Sequence, residues 1–171
     1  MRIFISSIGQ DSHSFEEDSS SKALMLGGLA IEGYPGLRGN SDADVILHAL
    51  CNAISGLTGR PVLGERADEL CQVGVRDSTV YLRLALQDLR EDPRDFKLHH
   101  LSLSLEGRRP LFEPHREAIC GHIATLLELS ETAVTLTATT GEDLSAFGLG
   151  KGLYCTCILS ASCRDAGRDS D

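Results

Sequence analysis

Residues 41–57, SDADVILHALCNAISGL, give the clearest structural signal in the sequence. Ser41 is of a type favoured at helix N-caps, and Asp42 and Asp44 follow where carboxylates interact well with the helix dipole. Apolar residues then recur at helical spacing, and Gly59 follows as a residue type that commonly ends helices. The stretch predicts an amphipathic helix that begins at Ser41 and packs against a core.

A run of β-branched and aromatic residues before this helix, and alternation of apolar and polar residues after it, predict strands. The predicted strands lie at 2–8, 101–105, 134–138 and 153–159, with one or two short strands within 23–31. Two more helices are predicted, from Ser78 to about Leu89 and from Pro114 to Leu127, while 9–21 and 58–76 are predicted to be loops. The mixture predicts an α/β (α+β) fold, with one four- to five-stranded mixed sheet and helices packed on one face.

Length and charge limit the possible functions. The 171 residues, 42% of them hydrophobic, suffice for one domain with a real core. We assign this domain to residues 1–161 and a polar C-terminal tail to 162–171. The net charge of −9 argues against nucleic acid or an anionic membrane surface as a partner. It also means that an anionic substrate needs local neutralisation, for which metal ions are suited.

The cysteines and the first residues indicate the compartment. The six cysteines are scattered without a Cys-x-x-Cys pair, which predicts reduced thiols. No apolar run is long enough for a membrane span, and residues 1–7 lack the features of a secretory signal. We therefore expect a cytoplasmic protein without a membrane partner.

Asp11, His13 and His48 form a candidate set of metal ligands. Positions two apart in an extended segment point the same way, so Asp11 and His13 can share one cation. Taken separately, each residue is as well explained by a turn cap or by an ordinary histidine ring. Together with His48 in the first predicted helix, they make three ligands with an open fourth position, as in catalytic zinc sites. A water or a phosphate oxygen in that position would be polarised.

Thr139, Thr140 and Glu142 follow a predicted strand and form a second candidate site. Threonine hydroxyls and loop amides are suitable donors to a diphosphate, and a neighbouring carboxylate is suited to magnesium. The composition also fits a plain turn with an exposed glutamate, so both interpretations stay open at this point.

The order of these motifs resembles one enzyme family. The segments IGQDSHSF at 8–15, LGG at 26–28, SDADVILHAL at 41–50, Arg109-Pro110 with Pro114-His115, and TATTGE at 137–142 occur in the order found in 2-C-methyl-D-erythritol 2,4-cyclodiphosphate synthases. The resemblance extends over about residues 1–161. Its most specific part is the combination of the D-x-H and S-D-x-D-V-x-x-H-A-L blocks.

The resemblance implies a homotrimer with active sites between neighbouring subunits. It assigns zinc, or another divalent transition metal, to Asp11, His13 and His48, and it assigns magnesium or manganese to Glu142. Catalytic positions that contact phosphate are implied at Asn40 and Thr140. The residues implied to surround the cytidine nucleotide are Arg109, Pro110, Leu111, Phe112, Ala138 and Thr139.

The implied activity is a metal-dependent cyclisation. The substrate is 4-diphosphocytidyl-2-C-methyl-D-erythritol 2-phosphate, and the products are 2-C-methyl-D-erythritol 2,4-cyclodiphosphate and CMP. This is a phosphorus–oxygen lyase reaction of non-mevalonate isoprenoid precursor biosynthesis. Because nucleophile and leaving group belong to one molecule, the tasks of the enzyme are positioning and charge neutralisation.

Three stretches depart from the family pattern. Asn40 stands where the family usually has histidine, residues 63–68 replace its Asp-Ile-Gly segment, and Leu111 replaces its usual lysine. Asn40 can donate a hydrogen bond but carries no charge, and Glu65 is the candidate ribose partner in the altered segment. The departures leave two alternatives: a divergent non-catalytic trimer that binds metal and diphosphate, and a metal phosphohydrolase on the same scaffold.

Overall fold

The structure, a computed structural model, describes residues 1–17 and 20–165. In chain order its strands are β1 (Arg2–Ser14), β2 (Ala23–Leu26), β3 (Leu29–Pro35), β4 (Lys97–Glu106), β5 (Val134–Thr139) and β6 (Gly152–Arg164). Its helices are α1 (Val45–Thr58), α2 (Glu65–Gln72), α3 (Ser78–Arg90) and α4 (Arg116–Leu127). None of the helices in this described part combines the length and apolar character needed to cross a membrane.

The main sheet has four strands in the order β1-β6-β4-β5. β6 is antiparallel to both β1 and β4, whereas β4 and β5 are parallel, so the predicted mixed sheet is confirmed. β2 and β3 form a separate two-stranded hairpin, in agreement with two short strands in that segment. β1 and β5 therefore occupy the two edges of the main sheet.

One face of the sheet is covered by helices and the other is open. Alternate residues of the two central strands are fully buried, namely Leu101, Leu103, Leu105, Leu153, Cys155, Cys157 and Leu159. α1 packs on β1 and β6, α4 packs on β5, and α3 packs on α1. The opposite face exposes Phe4, Ile8 and Ile158, of which Phe4 is 83% exposed. Helices on one face were predicted, and a partly apolar surface remains on the other.

α1 begins later than predicted, because Asp44 rather than Ser41 is its N-cap. The buried Asp44 carboxylate accepts hydrogen bonds from two backbone N–H groups in the first turn of α1. It also accepts from the N–H groups of Gly27 and Gly28, at 2.9 and 2.6 Å. Four N–H donors, two from α1 and two from the turn between β2 and β3, favour Asp44 as the cap. Together they outweigh the local preference for Ser41. Gly59 ends the helix in the left-handed conformation, as predicted.

Three other predicted boundaries were wrong. β1 continues to Ser14, because β6 provides a partner for each of its residues. Residues 65–72 form α2 rather than a loop, and no helical period is visible there because only Ala67 of α2 is buried. β6 includes residues 162–164 of the predicted tail, where Ser162 is buried. Residues 166–171 of that tail and 18–19 of the first predicted loop lie outside the described residues.

Candidate functional site

Asp11 and His13 on β1 meet His48 on α1 because this strand and this helix pack at very close range. A Cβ atom at Gly9 would overlap the backbone carbonyl oxygen of Ala49. Only glycine permits such an approach of one backbone to another. Gly9, Asp11 and His13 alternate along β1 toward the same face of the sheet, so both ligands stand beside the helix.

The three ligating atoms converge. Asp11 Oδ2 lies 2.9 Å from His13 Nε2 and 3.1 Å from His48 Nδ1, and the two nitrogens are 3.2 Å apart. Ligands of a tetrahedral zinc ion, bound at about 2.0–2.1 Å, stand roughly 3.3 Å from one another. Over the described ranges, no other group of three or more His, Cys, Asp or Glu residues has comparable spacing. The fold therefore brings together the three residues singled out in the sequence.

The cluster shifts the protonation of its own members. Burial alone would raise the pKa of Asp11, but the hydrogen bonds and charges of His13 and His48 lower it well below its usual value. Burial alone would lower the pKa of His13, but the hydrogen bond and charge of Asp11 outweigh it and raise that pKa. The site thus keeps an ionised carboxylate that attracts a proton or a metal ion to the neighbouring ring.

The triad opens into a pocket of about 340 Å³ that Asn40 also lines. Asp68 of α2 lines this pocket, whereas Glu65 is not among its lining residues. An adjoining pocket of about 520 Å³ shares Asn40 and Asp68 and adds Arg76. Asp68 was missed in the sequence because nothing local shows which side of the polar helix α2 faces the site.

Thr140 and Glu142 lie in a tight turn directly after β5. Gly141, Glu142 and Asp143 have positive φ angles of 67°, 46° and 62°, which are costly for the two non-glycine residues. Thr140 Oγ1 accepts a hydrogen bond from the Glu142 N–H at 3.4 Å, and Arg108 forms an ion pair with Asp143. Since the hydroxyl oxygen accepts from the turn, the hydroxyl proton of Thr140 is left to donate to a ligand.

Most of the residues implied to surround the nucleotide line a single pocket of about 230 Å³. They are Pro110, Leu111, Phe112, Ala138 and Thr139, and Thr140 lines it as well. The Arg109 side chain is not part of this lining, and its guanidinium lies over the ring of Phe15, 4.6 Å from the centroid. Arg108 and Arg116 line the pocket. Both were missed, because an arginine near a turn or in the first turn of a helix has no distinguishing sequence pattern.

The two groups of residues lie at opposite edges of one chain. The triad belongs to β1 and α1, whereas Thr140 and Glu142 follow β5, and two strands separate these edges. Neighbouring strands stand about 4.8 Å apart, so the edges are roughly 14 Å from each other. This distance is too great for one diphosphate to contact both groups of the same chain.

Comparison with known sequences gives matches along nearly the whole chain. The model of the YgbB family matches residues 4–162. A relative from Chlamydia abortus, named 2-C-methyl-D-erythritol 2,4-cyclodiphosphate synthase, is 45% identical over 92% of this chain and 89% of its own length. The family match contains all the residues of the candidate site on β1, on α1 and in the turn after β5.

Solved structures share the fold. The bifunctional IspDF from Campylobacter jejuni superposes with a TM-score of 0.84 at 27% identity, over 96% of this chain and 44% of that longer chain. The CDP-bound form of a 2C-methyl-D-erythritol-2,4-cyclodiphosphate synthase gives a TM-score of 0.75 at 30% identity, over 92% of this chain and 99% of that chain. Sequence and fold therefore point to the same group of proteins.

Proposed function

The chain belongs to the YgbB family, and we propose that it cyclises 4-diphosphocytidyl-2-C-methyl-D-erythritol 2-phosphate with release of CMP. The convergence of Asp11, His13 and His48 at one pocket carries this proposal. In the reaction, an oxygen of the 2-phosphate forms a bond to the β-phosphorus. The bond from the β-phosphorus to the bridging oxygen breaks, and CMP leaves with that oxygen. The activity is that of a phosphorus–oxygen lyase in isoprenoid precursor biosynthesis.

The donor set of the triad fits zinc or another divalent transition metal. One carboxylate oxygen and two imidazole nitrogens are ligands that zinc prefers, and their spacing resembles three corners of a tetrahedron. All three residues line the pocket that Asn40 also lines, so an ion held by them would be accessible to a ligand in that pocket. When bound there, the ion supplies positive charge that polarises an oxygen of the β-phosphate.

The other steps are positioning by the chain's own residues. The Asn40 amide and the Thr140 hydroxyl donate hydrogen bonds to phosphate oxygens, and Glu142 provides the carboxylate for magnesium or manganese. Because both reacting phosphates belong to one substrate molecule, the enzyme needs only to align them and does not have to bring two molecules together. A phosphate is already an anionic nucleophile near neutral pH, so no general base is required. The net charge of −9 makes these local donors and cations necessary.

Each complete site, on this proposal, uses two copies of the chain. The triad and Glu142 lie at opposite edges of the sheet, so the turn after β5 of one copy must meet the triad of a neighbour. The open sheet face, with Phe4, Ile8 and Ile158 exposed, supplies apolar surface for contact between copies. A homotrimer is a ring that closes such a head-to-tail arrangement.

The cytidine nucleotide is assigned to the pocket between α4 and the end of β5. A solved relative with 30% identity is described in a CDP-bound form, which supports a nucleotide diphosphate as ligand. Leu111 lines this pocket in place of the family's usual lysine, and Arg108 and Arg116 line it too. Arg108 is paired with Asp143 and Arg116 with Glu113, so we expect these guanidinium groups to supply the positive charge that Leu111 lacks by exchanging those carboxylates for substrate phosphates.

A reducing compartment, and so the cytoplasm, is the proposed location. All six cysteines of the sequence fall within the described residues and are free thiols. Four of them, Cys51, Cys155, Cys157 and Cys163, are buried. Buried free thiols are typical of proteins from reducing compartments.

A CMP-release assay tests the function. Purified protein with zinc and magnesium is expected to release CMP from the substrate, and Asp11→Ala is expected to lower the rate by at least about 100-fold. Ser55→Ala is the matched control, because the Ser55 hydroxyl is buried in α1 with no hydrogen-bond partner among the described residues. We expect this variant to keep wild-type activity.

Two results would overturn the proposed reaction. Zinc-loaded wild-type protein that releases no CMP would favour the non-catalytic, metal-binding trimer. Release of inorganic phosphate from nucleoside diphosphates, without CMP from the substrate, would favour a phosphohydrolase. In either case, metal content measured on the same preparation shows whether the triad holds an ion.

A further inference from the structure

Ser78 links the triad to the partly exposed carboxylate of Asp42. It opens α3 and its side chain is completely buried. Its backbone N–H donates to Asp42 Oδ2 at 3.0 Å, and its hydroxyl donates to Asp42 Oδ1. The same hydroxyl oxygen lies 2.9 Å from Nε2 of His48. Asp42, Ser78 and His48 therefore form a continuous hydrogen-bonded chain that ends at the candidate metal site.

The chemistry of the three groups fixes the direction of these hydrogen bonds. An ionised carboxylate only accepts, so the proton between Asp42 and Ser78 belongs to the serine hydroxyl. A hydroxyl has one proton, so Ser78 Oγ must accept from His48, which places the ring proton on Nε2. His48 Nδ1, which lies 3.1 Å from Asp11 Oδ2, is then the nitrogen whose lone pair is available to a metal ion, and it donates to Asp11 only when the ring carries both protons.

We propose that Asp42 and Ser78 are positioning residues that hold His48 in the Nε2–H tautomer and so present Nδ1 to the metal ion. This inference rests on the metal site of the proposed function. Partners of this kind orient metal-bound histidines in general, and their loss typically weakens metal binding by 10- to 100-fold. Neither residue contacts the pocket of the triad directly, because neither is among its lining residues.

A merely structural role for the same contacts is the competing explanation. Asp42 precedes α1 and Ser78 begins α3, so their hydrogen bonds also tie the N-termini of the two helices together. A structural tie predicts lower stability on mutation but no change in the position of the His48 proton. The two explanations therefore differ in a property that spectroscopy reports.

The first test is the tautomer of His48 in the metal-free protein, read from imidazole nitrogen shifts by NMR across a pH series in which the spectrum itself shows when the ring carries one proton. Wild-type protein is expected to carry the proton on Nε2. In Ser78→Ala the acceptor left beside Nε2 is the Ser41 hydroxyl at 3.4 Å, whereas the ionised Asp11 carboxylate lies 3.1 Å from Nδ1, so the proton is expected to move to Nδ1. A wild-type ring protonated on Nδ1, or an unchanged tautomer in the variant, overturns the proposal.

Asp42→Asn supplies an independent variant that keeps the serine. With its carbonyl oxygen toward the Ser78 N–H, the new amide group donates to Ser78 Oγ and gives up the hydrogen bond that Asp42 Oδ1 accepts from the Asp44 N–H at 3.2 Å. The hydroxyl proton is then released to donate to His48 Nε2, so this variant is also expected to shift the ring proton to Nδ1. If Ser78→Ala does not fold, this second variant still decides the question.

The second test is zinc affinity, measured by competition with a chelator. Ser78→Ala is expected to bind zinc 10- to 100-fold more weakly than wild-type protein. Asp77→Ala is the matched control, because Asp77 caps α3 through Thr79 and makes no contact with His48. It is expected to lower the stability of the protein and to leave both the tautomer and the zinc affinity unchanged.

The outcomes separate this inference from the proposed function. Wild-type protein that binds zinc and releases CMP, with unchanged zinc affinity and tautomer in both variants, overturns the positioning role alone. Wild-type protein that binds no zinc overturns the metal site and the positioning role together. A loss of zinc affinity in Asp77→Ala equal to that in Ser78→Ala would assign the effect to helix stability and also overturn the role.

Discussion

Asp44 is a buried carboxylate that accepts four backbone hydrogen bonds, two from α1 and two from Gly27 and Gly28. Ser41 and Asp44 are both good cap residues, so local preference alone does not decide between them. The decision comes from the two glycines, which are distant in sequence and lie in the turn between β2 and β3. A single side chain thus sets the start of α1 and ties it to the hairpin.

Removing this carboxylate should cost more than removing an ordinary cap. Asp44→Ala leaves four N–H donors without their acceptor, and we expect a loss of about 3 kcal/mol or more in the free energy of unfolding. Asp77→Ala, at the exposed cap of α3, should cost about 1 kcal/mol. Urea unfolding at one fixed protein concentration measures both values. Equal losses would contradict the role assigned to Asp44.

His13 predicts a pH dependence of the metal-free protein. Its raised pKa means that the folded chain binds the proton more tightly than the unfolded chain. The resulting stability is fully present below the ordinary histidine pKa of about 6.5 and is lost as the pH rises through the raised value. In the presence of a chelator, the stability advantage of wild-type protein over His13→Gln should be greater at about pH 5.5 than at about pH 8.

Zinc should reverse this trend, because a metal ion needs the neutral imidazole. With zinc bound, the advantage of the wild-type protein over His13→Gln is expected to grow with pH. Urea unfolding at the two pH values, with and without the metal, provides the comparison. An advantage that does not change with pH in the absence of metal would contradict the assigned shift.

The contact between β1 and α1 determines the position of the triad. Gly9 lets the helix backbone approach the strand, and Asp11 follows two residues later on the same face. The sequence predicts the strand and the helix separately, each from its own pattern. Neither pattern shows how closely β1 and α1 pack against each other. The distance between Asp11 and His48 is therefore a property of the pair of elements.

Gly9→Ala should separate the two elements. The added methyl group overlaps the Ala49 carbonyl, so we expect a loss of about 3 kcal/mol or more in stability and weaker zinc binding. Gly121→Ala in α4 is the control, because a Cβ atom there has no neighbour within 4 Å. That change should be neutral or stabilise the protein by up to about 1 kcal/mol. Unchanged zinc affinity in Gly9→Ala would show that the close contact does not position the triad.

The whole molecule places the two halves of the proposed site at opposite edges of the sheet. One chain therefore offers two half-sites, and a ring of copies pairs each triad with the turn after β5 of a neighbour. In such a ring, each site takes its triad from one subunit and its Glu142 from the next. A mutation in the triad and a mutation of Glu142 therefore affect different subunits of the same site. This separation gives the assembly a direct functional test.

Co-expression of Asp11→Ala and Glu142→Ala chains should restore activity that neither variant has alone. With random mixing, about one quarter of the sites combine an intact triad with an intact Glu142 of the neighbour. CMP release by the purified mixture should therefore reach about a quarter of the wild-type rate. The control mixture of Asp11→Ala and His48→Ala has no intact triad and should stay inactive. An inactive first mixture would place triad and Glu142 in one chain.

Residue types, their order and the local periods can all be read directly from the amino-acid chain. The D-x-H pair, His48 and the Thr140–Glu142 turn identified the family resemblance and the candidate ligands. A run of β-branched and aromatic residues located β1, and alternation located the other three strands of the main sheet. These features are readable because each depends on neighbours within one strand or one helical turn.

The features that depend on contacts between distant segments appeared in the folded structure. It extended β1 through both ligands, made Asp44 the cap, formed α2 and turned Asp68 toward the pocket. It also joined Ser78 to His48 and placed the triad and Glu142 at opposite edges. Hydrogen bonds and packing between residues far apart in the chain carry no local period. Their effect on the site therefore became visible only in the folded chain.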